Sequence, residues 1–119
     1  SARSFELGNL VAVIDRNKQM MCSYIDEDMT VMEPYADKWK AFGWNVVEID
    51  GHDMNAIADA LDSLPAVSST RPTAIVAHTI KGKGVDFMER VIGWHAGSLN
   101  EEDHRQALAD LEKNYGKEA

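Results

Sequence analysis

The chain has 119 residues, 20 acidic against 12 basic side chains and a formal charge of −8. That length allows one domain at most, and the acidity disfavours a nucleic-acid partner, because phosphate contact needs clustered Lys and Arg. The single cysteine, Cys22, excludes an internal disulfide and points to a reducing compartment, the cytoplasm, and no apolar run or signal pattern suggests a membrane.

Ser1–Gly8 reads like the tail of a helix closed by Gly8. A chain that opens inside a helix and runs straight into a buried strand is expected to be a fragment, a processed piece or one subunit of a split protein. Asn9–Ile14 is an apolar run stopped by Asp15, Arg16, Asn17, Lys18 and Gln19. It reads as a buried parallel strand, and the chain is expected to be organised around it. Asp15–Thr30 has no sustained period and reads as a long loop, with Met20, Met21, Tyr24 and Ile25 partly buried or facing a partner. Pro34 fits the first turn of a helix, in which Tyr35, Trp39 and Phe42 share one face, and Gly43 ends it. Trp44–Ile49 is the second strand.

Asp53 fits the N-cap of the next helix, whose buried face is marked by Ile57, Leu61 and Leu64 and whose end is set by Pro65. Trp39, Phe42 and Leu61 are expected in the core. Pro72–Thr79 is the third strand. Val85–Val91 suits a short helix. Asn100 and Asp103 form a variant capping box for a last helix, with Leu108, Leu111 and Tyr115 on one face and Gly116 as its C-cap. Strand–helix–strand–helix–strand order predicts an α/β fold with right-handed crossovers and a parallel sheet. Leu10–Ile14, Val46–Ile49 and Ala74–Ala77 are expected to make up its inner part. Asp15–Gln19, Asp50–Asp53 and Thr79–Gly84 then gather along one edge, where ligands collect in such sheets.

Several residues there have possible chemistry. Asp15 and Asn17 would suit half of a Mg2+ site, since that ion takes a few protein oxygens and leaves the rest to phosphates; equally, they fit a loop that satisfies its own backbone. His52-Asp53 reads as a turn and helix cap before it reads as a site. Lys81-Gly82-Lys83-Gly84 could bring a phosphate to backbone N–H groups but lacks the P-loop pattern, and a solvated turn explains it as well. His95, between glycines, is available for proton transfer or is structural. His78 and His104 do not suggest a zinc set.

Taken together, NLVAVIDRNKQM, ADKWKAFGWNVVEIDGHDMNAIADAL and RPTAIVAHTIKGKGVDFMER with GWHAG resemble the thiamine-diphosphate domain of transketolase over roughly Ser4–Leu111. The resemblance implies a partial three-layer αβα thiamine-diphosphate-binding fold. It implies a cofactor bound through a divalent ion, Mg2+ or Ca2+, at a motif that begins Gly-Asp-Gly and ends in asparagine. Asn17 matches that asparagine, and the backbone carbonyl of Gln19 matches the other metal contact on the loop. Ile80–Gly84, with Lys81 and Gly82, matches the loop that covers the cofactor. His95 matches a histidine near the diphosphate and the substrate, and is the catalytic candidate.

The implied chemistry is transfer of a two-carbon ketol unit between sugar phosphates, as in the pentose phosphate pathway. The implied partners are the remainder of the enzyme, namely the Gly-Asp-Gly segment and a pyrimidine-binding domain, in an oligomer with the cofactor at a dimer interface. Two alternatives stay open: a non-catalytic stand-alone binding module, and part of another thiamine-diphosphate enzyme such as a synthase or dehydrogenase component.

Overall fold

The segment TAIVAH, Thr73–His78, has no charged residue before its last position, and Thr73 to Ala77 are all buried. A strand that is apolar on both faces belongs in the middle of a parallel sheet. In the computed structural model, which describes residues 1–116, it is the central strand, β3. It lies between β1 (Val11–Arg16) and β2 (Asn45–Asp50), in the order β1-β3-β2, and both pairings are parallel. The sheet is therefore organised around the third strand and not the first, which takes an edge position with Val13 65% exposed. Val46–Ile49 and Ala74–Ala77 lie in the sheet as expected; the first strand begins one residue after Leu10 and runs on through the polar Asp15 and Arg16. The register aligns Arg16, His78 and Asp50 across the three C-terminal ends. This is an α/β fold, a parallel sheet flanked by helices.

The chain divides into two compact units. The first comprises Ser1–Arg16 and Met32–Thr79, and it holds the sheet with two helices packed on β2. Helix α1 (Tyr35–Ala41) follows Pro34, which is its N-cap, and ends at Gly43, whose φ of +82° is a left-handed value that suits glycine. Trp39 meets Trp44 edge-on at 5.0 Å. Helix α2 (Met54–Asp62) starts as expected: the Asp53 carboxylate accepts from the N–H groups of Asn55 and Ala56 at 2.9 and 3.1 Å.

Phe42 and Leu61 are not core residues; they are 75% and 47% exposed. The alanines Ala36 and Ala60 are buried instead, because small side chains let a helix approach a sheet closely. Ser1–Gly8 forms turns and no helix, with Glu6 in the left-handed region at φ +53°. Gly8 is needed for a different reason: a Cβ there would lie 1.6 Å from the Ser69 carbonyl oxygen.

The second unit comprises Asn17–Val31 and the chain from Ile80 onward. Its long helix α3 (Glu101–Tyr115) has the expected capping box: Asn100 accepts from the Asp103 N–H, and Asp103 accepts from the Asn100 N–H. Gly116 is its C-cap. The face of Leu108, Leu111 and Tyr115 is 40–54% exposed, and Ala107 and Asp110 are the buried positions. Among the described residues no helix is long and apolar enough to cross a membrane.

Candidate functional site

The chain leaves β1 through a buried arginine. Arg16 is 3% exposed, and its Nε and Nη2 donate to one oxygen of Glu33 at 3.2 and 3.1 Å. The other Glu33 oxygen accepts the Tyr35 N–H at 2.8 Å, at the start of α1. The guanidinium also lies over the Tyr35 ring, 5.4 Å from its centroid. Sequence reasoning passed over this pair, because nothing in the 17-residue spacing marks it. Asp15 accepts a hydrogen bond from the Thr79 hydroxyl at the end of β3.

Asn17 begins a tight turn. Its side-chain oxygen accepts the Gln19 N–H at 2.8 Å, and Lys18 between them has φ +62°. Such an Asx turn fixes the asparagine rotamer and the following peptides together. Beyond it the chain is not the featureless loop expected. Gln19 and Tyr24 form an antiparallel bridge, closed by Met20 N–H to Ser23 O and Ile25 N–H to Lys18 O. That pattern uses the Lys18 carbonyl and the Met20 N–H and leaves the Gln19 carbonyl outside it. A π-helical turn follows over Ile25–Met29. Ile25 is half-buried, and Met20 and Met21 are exposed.

The glycine loop is a packed structure more than a solvated turn. Gly82 and Gly84 have φ of +78° and +97°; a Cβ on Gly82 would lie 2.6 Å from the Met88 carbonyl oxygen, and one on Gly84 would meet the Tyr115 ring at 2.6 Å. The Gly84 N–H donates to Glu89 at 3.1 Å, and Lys83 lies 3.6 Å from the same carboxylate. The α3 side chains hold the exit: Asn114 donates to the Gly84 carbonyl at 3.0 Å, and the buried Asp110 accepts the Asp86 N–H at 2.9 Å. Lys113 and Asn114 also donate to the Asp86 carboxylate, holding it below the usual carboxylate range, and Asp86 in turn raises Lys113.

No helix forms over Val85–Val91; one turn closes, from Met88 and Glu89 N–H to Val85 O, before Arg90 turns left-handed at φ +60°. That reversal gives the Arg90 backbone partners on two sides. Its N–H donates to the Lys81 carbonyl at 2.9 Å, and its carbonyl accepts from the Gln19 side-chain amide at 2.5 Å and the Tyr24 hydroxyl at 2.9 Å. Gln19 and Lys81, the neighbours of the Asn17 turn and of Gly82, are thus both bonded to the Arg90 backbone. His95 ends a 3₁₀ turn, Ile92–His95, in which Trp94 packs edge-on against Phe87 at 5.3 Å. It is exposed.

For a divalent ion the donor chemistry fits in part. The Asn17 amide oxygen and the Gln19 carbonyl are hard oxygen donors of the kind Mg2+ and Ca2+ accept. The Gln19 side-chain oxygen is buried without a hydrogen-bond partner, an arrangement that a nearby cation or donor would relieve. Among the described residues no group of three or more His, Cys, Asp or Glu could hold a metal. Tyr24 stands in the sequence reading only as a loop residue partly buried or facing a partner, and Arg90 is not singled out there; the bond between them spans 66 residues.

The family model described as "Transketolase, thiamine diphosphate binding domain" matches residues 1–118. An apulose-4-phosphate transketolase subunit of Phocaeicola vulgatus is 34% identical over 117 residues, which are 98% of this chain and 41% of that protein. The 6-deoxy-6-sulfo-D-fructose transketolase subunit SqwG of a Clostridium species is 40% identical over 107 residues, 90% of this chain and 38% of its own length. The chain therefore spans about two-fifths of these relatives.

Among solved structures, the transketolase of Campylobacter jejuni superposes with a TM-score of 0.77 at 28% identity, covering 97% of this chain and 17% of that one. The Pichia stipitis transketolase in complex with sedoheptulose-7-phosphate gives 0.76 at 30% identity, covering 92% and 16%. With the Asn17 turn, the glycine loop and the parallel sheet in the same order as the motifs that suggested it, the chain belongs to the transketolase family, in its thiamine-diphosphate-binding domain.

Proposed function

We propose that this chain supplies one half of the cofactor site of a transketolase-like enzyme, whose complete assembly transfers a two-carbon ketol unit from a ketose phosphate to an aldose phosphate. The observation that carries the reading is the Asn17–Gln19 turn, tied through the Arg90 backbone to the Lys81–Gly82 loop. Asn17, through its side-chain oxygen, and Gln19, through its backbone carbonyl, would hold Mg2+ or Ca2+ on the cofactor's diphosphate. Lys81 adds positive charge beside that diphosphate, and Gly82 supplies the left-handed backbone that shapes the loop.

Thiamine diphosphate, when bound, supplies the nucleophilic carbon and the electron sink that two-carbon transfer requires. His95 is placed on an exposed turn, where its imidazole can bind a substrate oxygen or hold a proton at it. The remaining ligands, the Gly-Asp-Gly segment and the pyrimidine-binding domain, come from outside the 119 residues. Two of the similar proteins are named as subunits, which supports a cofactor domain acting within a split or multi-chain enzyme. The lone, exposed Cys22 fits a cytoplasmic setting.

The test is calorimetric titration of thiamine diphosphate with Mg2+, paired with a ketol-transfer assay. The assembled enzyme binds and turns over; the 119-residue chain alone does not turn over; Asn17→Ala in the assembly weakens Mg2+-dependent binding. Transfer by the chain alone, or an assembly that binds no thiamine diphosphate, overturns the reading.

A further inference from the structure

We infer that Tyr24 and Arg90 are positioning residues that set the Asn17–Gln19 turn and the Lys81–Gly82 loop as one body. The inference rests on the function proposed above. The Arg90 backbone is the joint, through the two peptide groups on either side of its Cα. A left-handed residue turns its N–H and its carbonyl toward different neighbours, and here the N–H reaches the Lys81 carbonyl at 2.9 Å. The carbonyl receives the Gln19 side-chain amide at 2.5 Å and the Tyr24 hydroxyl at 2.9 Å. Tyr24 stands opposite Gln19 in the antiparallel bridge, so its hydroxyl and the Gln19 amide approach the same carbonyl from paired positions. The Arg90 side chain is exposed and takes no part in these bonds. The role therefore belongs to the backbone conformation and to the tyrosine hydroxyl, not to the guanidinium.

Three substitutions separate these contributions. Tyr24→Phe removes one donor. Arg90→Val removes the guanidinium and opposes a positive φ, because a β-branched residue is a poor occupant of that region. Arg90→Gly removes the guanidinium equally and accepts the φ freely.

The first measurement is hydrogen exchange, followed by mass spectrometry, on the chain without cofactor. Tyr24→Phe and Arg90→Val speed exchange in the Lys81–Arg90 segment and in the Asn17–Tyr24 segment alike, and Arg90→Gly leaves both near wild type. The second is Mg2+-dependent binding of thiamine diphosphate by the assembled enzyme. Partners that orient a metal site from behind its ligands typically change metal affinity by about 10-fold or more, and that loss is expected for Tyr24→Phe and Arg90→Val but not for Arg90→Gly.

Exchange that changes only beside each substitution overturns the inference, as does an Arg90→Gly variant as impaired as Arg90→Val. A wild-type assembly that binds while Tyr24→Phe binds equally well overturns the inference alone. A wild-type assembly that binds no thiamine diphosphate overturns the functional reading, and the inference with it.

Discussion

Replacing Glu33 with alanine tests how the chain is held just before the Asn17 turn. The substitution takes the carboxylate from a guanidinium that is 3% exposed and also removes the acceptor for the Tyr35 N–H at the start of α1. Breaking a fully buried pair by removing one partner costs about 3–5 kcal/mol. The Glu33 side chain is 42% exposed, and solvent screening lowers the Coulombic part, to about 2 kcal/mol. Loss of the bond at the helix start adds about 1 kcal/mol.

The sum, about 3 kcal/mol, corresponds to a fall in Tm of roughly 12 °C for a chain of this size, at about 4 °C per kcal/mol. Thermal and urea unfolding followed by circular dichroism measures it. The double variant Arg16→Met with Glu33→Met removes both charges at similar volume, and should recover a good part of the loss because no guanidinium is left buried. A Glu33→Ala variant within about 0.5 kcal/mol of wild type, the scatter of a neutral surface change, would refute the reasoning. So would a double variant less stable than the single one.

Gly8→Ala should destabilise by about 3 kcal/mol, the upper range for an overpacked position, because the new methyl would lie 1.6 Å from the Ser69 carbonyl oxygen. Gly93→Ala, with nothing within 4 Å of its Cβ position, should be near neutral in the same melt. The Asp86–Lys113 pair gives a pH dependence of definite sign. Asp86 is held below its ordinary value of 3.8, so its contribution is present above that pH and is lost as pH falls through the lowered value. Lys113 is raised above 10.5, so its contribution is present below that pH and is lost as pH rises through the raised value. Asp86→Asn should therefore lower Tm at neutral pH, with the difference from wild type vanishing at acid pH; a difference that persists there would count against the pairing.

The strands, the Asp53 cap and the Asn100–Asp103 box were legible because each is a local pattern: an apolar run, or an acceptor placed before a helix. Which strand is central was not. Leu10–Ile14 and Ala74–Ala77 are similarly apolar, and only the pairing of β3 with both neighbours distinguishes them. Phe42 and Leu61 follow helical periodicity yet remain exposed, because periodicity finds an apolar face without saying whether the described residues cover it. Val85–Val91 has the composition of a helix, and what stops it is tertiary: Asp110 takes the Asp86 N–H, and the Lys81 carbonyl takes the Arg90 N–H. The residues around the candidate site divide the same way. Asn17 and Gln19 are candidates because of the motif resemblance, whereas Tyr24, Arg90 and the Arg16–Glu33 pair depend on bonds between segments far apart in the chain.

The most direct test of the central claim is native mass spectrometry of the assembled protein, recorded with thiamine diphosphate and Mg2+ and again after denaturation. The expected result is an assembly in which this chain is joined by the Gly-Asp-Gly segment, with thiamine diphosphate and Mg2+ retained in the native spectrum and lost when Asn17 is changed to alanine. An active 119-residue species that carries thiamine diphosphate without that segment would contradict it.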